Sequence, residues 1–196
     1  LGISAGVSLF GISYMVPFAK ELGFGPLIAA SSAGVLSIIN GTGRTVTGYI
    51  SDRLGRKQTL LIVLLVSAVA LVGLLYAGTA QNEIAFLFFA FLVGFGGGAF
   101  YPMFASLTPD YFGENNNASN YGLIYSSKLL GSVVGIGVGA SVIDKWGYTG
   151  AYWIAAVSAL VSAGIAVFLR QPGRSVPAVA PSPATVERPM AATLVD

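Results

Sequence analysis

The chain has no cysteine and no histidine, and only 9 % of its 196 residues are charged. Without cysteine there is no disulfide, iron–sulfur or thiol chemistry to consider. Without histidine the commonest proton carrier near neutral pH is missing. Soluble domains carry roughly 25 % charged residues, so this scarcity excludes an ordinary water-facing surface. The net charge is only +2, and the basic residues fall at the ends of apolar segments rather than in a patch, which gives no footprint for nucleic acid. The apolar segments hold no nucleophile–base pair and no metal-ligand cluster. Neither a cofactor, a metal nor an enzyme is therefore expected.

What is present is apolar: 55 % of the residues are hydrophobic and the mean hydropathy is +0.77. Segments near 20 apolar residues recur, about the length that spans a bilayer. They lack the alternation of barrel strands, and a helix satisfies its own backbone in lipid. The chain therefore reads as an all-α integral membrane bundle whose first partner is the lipid bilayer. Six segments are expected, at about 1–19, 27–50, 59–77, 83–107, 118–143 and 151–169. Together they form a transmembrane unit over residues 1–170. From Gln171 onward Pro, Ala, Ser and Val dominate without periodicity, so 171–196 is expected to be a disordered tail. The chain opens at Leu1-Gly2 with no initiator methionine, no charged start and no cleavage pattern, which reads as a piece of a longer protein rather than a signal peptide.

Two charges lie well inside apolar segments, Arg44 and Lys128, and both are cations. Arg44 precedes Asp52 by eight positions and Lys128 follows Asn120 by eight, so both sit at similar depth, roughly 12 Å from a helix end. The carboxylates Asp52, Glu83, Asp110, Glu114 and Asp144 all fall at segment ends or in loops. Buried cations without counter-ions are expensive, and an anionic ligand resolves the imbalance; the bland alternatives are a carboxylate supplied by a further part of the protein, or snorkelling. Tyr121, Tyr125, Lys128 and Ser132 share a helical face, beside the small-residue steps Gly131, Gly135 and Gly139. Gly94-Phe-Gly96-Gly-Gly-Ala99 echoes a dinucleotide loop but follows no strand, so close helix packing is expected of it. Pro17 and Pro102 need not break their helices.

The stretch Gly48-Tyr-Ile-Ser-Asp52-Arg53-Leu-Gly55-Arg56-Lys57 matches every key position of G-x-x-x-D-[RK]-x-G-[RK]-[RK]. It resembles the signature of the major facilitator superfamily, found after the second helix of each six-helix half. That resemblance implies a twelve-helix fold of which this chain is the C-terminal half, with the N-terminal six-helix half as its partner. It also implies a gating role for Gly48, Asp52, Arg53, Gly55 and Arg56. Thr108-Pro-Asp-Tyr-Phe-Gly113 followed by Asn120-Tyr-Gly-Leu-Ile-Tyr-Ser-Ser-Lys128 is similar to the oxalate/formate antiporter family of facilitators, itself related to monocarboxylate porters. By that likeness Arg44 and Lys128 hold a carboxylate substrate, and Tyr101 and Tyr125 line the cavity. Proton-coupled monocarboxylate porters carry aspartate one turn before the arginine, where this chain has Asn40. The departure favours anion exchange by alternating access, with proton symport and a non-transporting sensor or scaffold as the rival readings. With the Ser51–Lys57 stretch cytoplasmic, the excess of basic residues on that side puts the C-terminus in the cytoplasm of a cell whose inner membrane holds the protein.

Overall fold

A computed structural model describes residues 1–169, and every element among them is helical. The tail from Gln171 lies outside the described residues. The helices are α1, Gly2–Glu21; α2, Pro26–Leu54; α3, Arg56–Thr79; α4, Glu83–Phe112; α5, Asn117–Ser132; and α6, Gly139–Val167. A π-helical turn, Val133–Val138, joins α5 to α6. Gly147 breaks α6 with φ 67° and ψ 176°, a left-handed φ that glycine adopts without a Cβ penalty.

That break reverses the chain. Ser127 and Gly131 lie against Gly2 and Gly6 of α1. Tyr148 lies against Phe18, near the other end of α1, with ring centroids 5.8 Å apart. Ser162 then comes back to Ser4, their buried hydroxyl oxygens 2.7 Å apart. The run from Asn117 to Val167 is therefore two antiparallel limbs, and the sequence turn expected at Asp144–Gly150 contains the hinge. By length and apolarity, four helical runs suffice to cross a membrane: α1, α3, α4 and Asn117–Val167. The 29 residues of α2 are long enough, but its serines, glycines, Asn40 and Arg44 dilute its apolarity.

The core explains why α2 tolerates that composition. Its buried residues are Ala29, Ser32, Leu36, Asn40, Gly43, Thr47 and Ser51, a stripe at steps of three and four that turns one face to its neighbours. Glycines of α4 receive that stripe. A Cβ on Gly94 would stand 2.4 Å from the Leu36 carbonyl oxygen, and one on Gly98 would stand 2.0 Å from that of Asn40. On its other sides the same run admits Ser67 of α3 at Gly96 and Ser8 of α1 at Gly97. The glycine motif is thus a packing surface for three helices, and α4 passes through Pro102 and Pro109 without ending. A second glycine contact sets α5 and the π turn on α1, where a Cβ on Gly131 would lie 2.4 Å from the Gly2 carbonyl oxygen and one on Gly135 2.2 Å from that of Gly6. At the end formed by the α1–α2 and α3–α4 turns, Phe18, Phe24, Phe86 and Tyr152 pack together in the core.

Two expected boundaries move. α2 does not end at Ile50 but continues helically to Leu54, and a single residue, Gly55 at φ 92°, separates it from α3. The signature stretch is therefore mostly helix rather than loop. α4 likewise extends past Leu107 to Phe112, and inside that extension the Thr108 hydroxyl donates to the Phe104 carbonyl at 2.7 Å.

Gly98→Ala should lower the thermal stability of the purified protein, since a methyl group driven into the α2 backbone costs on the order of 1–3 kcal/mol or more. Gly41→Ala is the contrast: nothing lies within 4 Å of its added methyl, and a helical Gly→Ala exchange gains up to about 1 kcal/mol. Melting of the two variants in one detergent measures the difference, and equal midpoints would contradict this account of the α2–α4 contact.

Candidate functional site

The glycine contact between α2 and α4 places Asn40 and Arg44, one helical turn apart, beside the turn of α4 that carries Tyr101. The Arg44 guanidinium lies over the Tyr101 ring, 4.9 Å from its centroid. Lys128 reaches the same ring from α5, its ammonium 5.2 Å from the centroid. The two cations are therefore within about 10 Å of one another, sharing one aromatic ring in cation–π range. Tyr101 is buried and half-stacked on Phe100, with centroids 4.3 Å apart. The ring is thus fixed by packing.

Each cation has a polar neighbour on its own helix. Arg44 Nη2 donates to Asn40 Oδ1 at 3.3 Å, and Lys128 Nζ donates to the Tyr125 hydroxyl at 3.3 Å. Tyr125 extends the aromatic wall, with its centroid 6.1 Å from Tyr101 and 5.5 Å from Tyr121. Arg44 and Tyr125 are exposed, Lys128 is half-buried and Asn40 is buried. The residues singled out by sequence, Asn40, Arg44, Tyr101, Tyr125 and Lys128, thus form one cluster across α2, α4 and α5.

Among the described residues neither cation has a carboxylate partner. Among the described residues the one ion pair is Arg56–Asp110. Two unit charges 10 Å apart repel by on the order of 2 kcal/mol at an effective dielectric near 20. A cation–π contact returns about 0.5–2 kcal/mol, so the aromatic ring offsets the repulsion. An anion held between the cations would offset it more strongly, since Arg44 offers a planar pair of donors and Lys128 a point charge.

The signature residues Arg53 and Arg56 turn to different partners. Arg53 folds back over the Tyr49 ring on its own helix, 4.6 Å from the centroid. Asp52 makes no ion pair among the described residues. Arg56 instead binds across to α4, 2.6 Å from Asp110 and in contact with the Ser106 carbonyl. Lys57 Nζ donates to the Val167 carbonyl at 2.7 Å, so the α2–α3 junction is fastened to the ends of α4 and α6. Gly48 has open space around it, while Gly55 supplies the positive φ of the junction.

Sequence reasoning missed Asp110 as the partner of Arg56, because 54 residues separate them and nothing local marks the pairing. It also missed the π turn after Ser132, which Tyr14 secures by donating its hydroxyl to the Ile136 carbonyl at 2.7 Å. The sequence signal for that turn is the glycine density at Gly131, Gly135, Gly137 and Gly139.

Residues 1–193 match the family model of the Major Facilitator Superfamily. An "Oxalate:formate antiporter" from Oxalobacter formigenes is 28 % identical over 158 residues, covering 81 % of this chain and 38 % of the relative. An "Uncharacterized MFS-type transporter YhjX" from Escherichia coli (strain K12) is 34 % identical over 125 residues, 61 % of this chain and 31 % of the relative. A "Monocarboxylate transporter 13" from Bos taurus is 23 % identical over 176 residues, 86 % of this chain and 41 % of the relative. The chain thus spans well under half the length of these relatives.

The ion-pair geometry yields a test of the junction. Asp110→Asn should loosen it, whereas Asp52→Asn should leave its stability unchanged. Both partners of the Arg56–Asp110 pair are about one-third exposed, so a double-mutant cycle should return no more than about 1 kcal/mol, decreasing with added salt. A larger coupling for Arg56 with Asp52 than with Asp110 would contradict the pairing.

Proposed function

The chain belongs to the Major Facilitator Superfamily, and on that premise we propose that it is the substrate-holding C-terminal half of a transporter that exchanges small carboxylates across the inner membrane by alternating access. One observation carries this reading: two cations from different helices share the Tyr101 ring and have no carboxylate among the described residues. The printed names of two relatives, an antiporter of oxalate and formate and a monocarboxylate transporter, support a carboxylate.

In this mechanism Arg44 takes the carboxylate through two parallel N–H donors. Lys128 supplies the second charge, oriented by the Tyr125 hydroxyl, and the Tyr101 face forms an apolar floor for a small planar anion. Asn40 orients Arg44 without neutralising it, because its amide oxygen accepts a hydrogen bond but carries no charge. An aspartate there would pair with Arg44 and bring a titratable group into the site. The N-terminal six-helix half covers the open side of the cluster, and the substrate lies between the halves near the midplane. Gly48, Asp52, Arg53, Gly55 and Arg56 belong to the junction that closes one face, with the pair Arg56–Asp110 as its fastening. The excess of basic residues at that end supports a cytoplasmic position for it and for the C-terminus.

Exchange follows from electrostatics. An unloaded site brings two uncompensated cations into a closing, water-poor space. A bound anion brings the site closer to neutrality, so the loaded form crosses more readily.

Two measurements test the proposal on the full-length protein. Arg44→Gln and Lys128→Gln should each weaken oxalate or formate binding by about ten-fold or more, the loss expected for one charge-assisted hydrogen bond. Arg44→Lys should not restore it, because the bidentate geometry is lost. Carboxylate binding that survives in a folded double mutant would overturn the assignment, and preference for inorganic phosphate over any carboxylate would overturn the substrate class. In proteoliposomes, uptake should require internal carboxylate. Rapid uptake into empty vesicles, driven by an acid exterior, would establish proton symport instead. Binding without any flux would establish a sensor or scaffold.

A further inference from the structure

Between α5 with its π turn and the second limb of α6 runs a groove with a volume of about 500 Å³, and none of the cation-cluster residues lines it. Gly2, Gly6 and Phe10 of α1 lie along its floor. Leu130, Val134 and Val138 stand on one side and Ile154, Val157 and Val161 on the other, all of them exposed. Each wall is pinned to α1 by its own contact. Gly131 and Gly135 press against Gly2 and Gly6, and Ser162 meets Ser4. The walls therefore close on each other only at the loss of a buried contact.

The lining decides what enters. Its polar side chains are two serines, Ser127 and Ser158, and the Ser127 hydroxyl is spent on the Ile124 carbonyl at 2.7 Å. A bound water requires two to four polar partners, and cavities lined by apolar side chains stay dry. Left empty, the walls forfeit dispersion contacts along their length.

Size and direction select the occupant. From Gly2 to Phe10 the floor rises roughly 12 Å at 1.5 Å per residue. One leaflet of a hydrocarbon core roughly 30 Å thick is about 15 Å deep. The mouth faces away from the cations, because Leu130 follows Lys128 by two positions, about 200° round a helix of 3.6 residues per turn. Its exposed walls are continuous with the outer surface of Asn117–Val167, a run apolar enough to cross a membrane, and not with the open side of the cation cluster.

We propose that this groove binds one acyl chain of a membrane phospholipid, lying along α1 in the leaflet at the α2–α3 junction end. The chain supplies the contacts that the two walls lack and braces α5 against α6. This site is independent of the function proposed above, since it uses the side of α5 that turns away from Lys128.

The full-length protein in nanodiscs of phosphatidylcholine with brominated acyl chains tests the site, because bromine marks a chain in the electron-microscopy map. Bromine density along the groove between Val134 and Val157 is expected. Walls closed on each other, a helix from another part of the protein in the groove, or an empty groove would overturn the proposal. Val157→Trp puts an indole into the space and should remove that density while chains elsewhere on the surface remain. The same density in Val157→Trp would belong to the general lipid shell and would equally overturn the site. Val157→Ala keeps the space and should keep the chain, which separates loss of room from damage to the fold. Should Val157→Trp fail to fold, the map of the parent still decides.

Discussion

The approach of α2 to α4 at Gly94 and Gly98 is the constraint on which the rest depends. Two backbones this close must be free of side chains on one partner, and α4 meets that requirement with four glycines between positions 94 and 98. The reward is register. Asn40 meets α4 at Gly98, so Arg44, one turn further along α2, comes level with Tyr101, nearly one turn further along α4. A shift of one turn, about 5.4 Å, would separate the guanidinium from the ring. The same run accepts Ser67 and Ser8 on its other sides, so the cation and its amide neighbour are fixed by one element.

Lys128 is brought in by a second and separate contact of the same kind. Gly131 of α5 and Gly135 of the π turn press against Gly2 and Gly6 of α1, and the lysine lies nearly one turn before Gly131. The Tyr101 ring is therefore where two independently packed helix pairs present their charges to each other. A π turn follows directly on α5, at Val133–Val138, and Tyr14 of α1 holds it by a single hydroxyl. Such turns interrupt the regular ladder, so α5 carries its cation next to its least regular segment.

The all-α membrane class was legible because it rests on composition: long apolar runs leave no other backbone solution in lipid. The two cations were legible as charges in the wrong medium, and Gly147 lies in a turn marked by Asp144, Lys145 and Gly150. The ends of α2 and α4 were not legible. Asp52 and Arg53, like Asp110, look like loop residues, yet helices continue through them with their side chains exposed. Arg56–Asp110 was not legible either, because sequence distance carries no information about which helix ends meet. Tyr101 stands between these cases. It came from resemblance alone, since a tyrosine before a proline in an apolar run reads equally well as packing.

The location of charge decides what this arrangement can do. In a packed core, Arg44 and Lys128 would each demand a carboxylate, and the lone ion pair among the described residues is spent elsewhere, on the α2–α3 junction. The fold thus uses its acid–base pairing to fasten an end and leaves its inner charges to a ring and two neutral neighbours. Asn40 and Tyr125 orient without neutralising, and Tyr101 attracts both cations without choosing between them. An arrangement that only needed stability would have replaced either cation with an apolar residue, at a gain. On the proposed function both are kept, level with each other and one ring apart, for something negative that arrives from outside the chain.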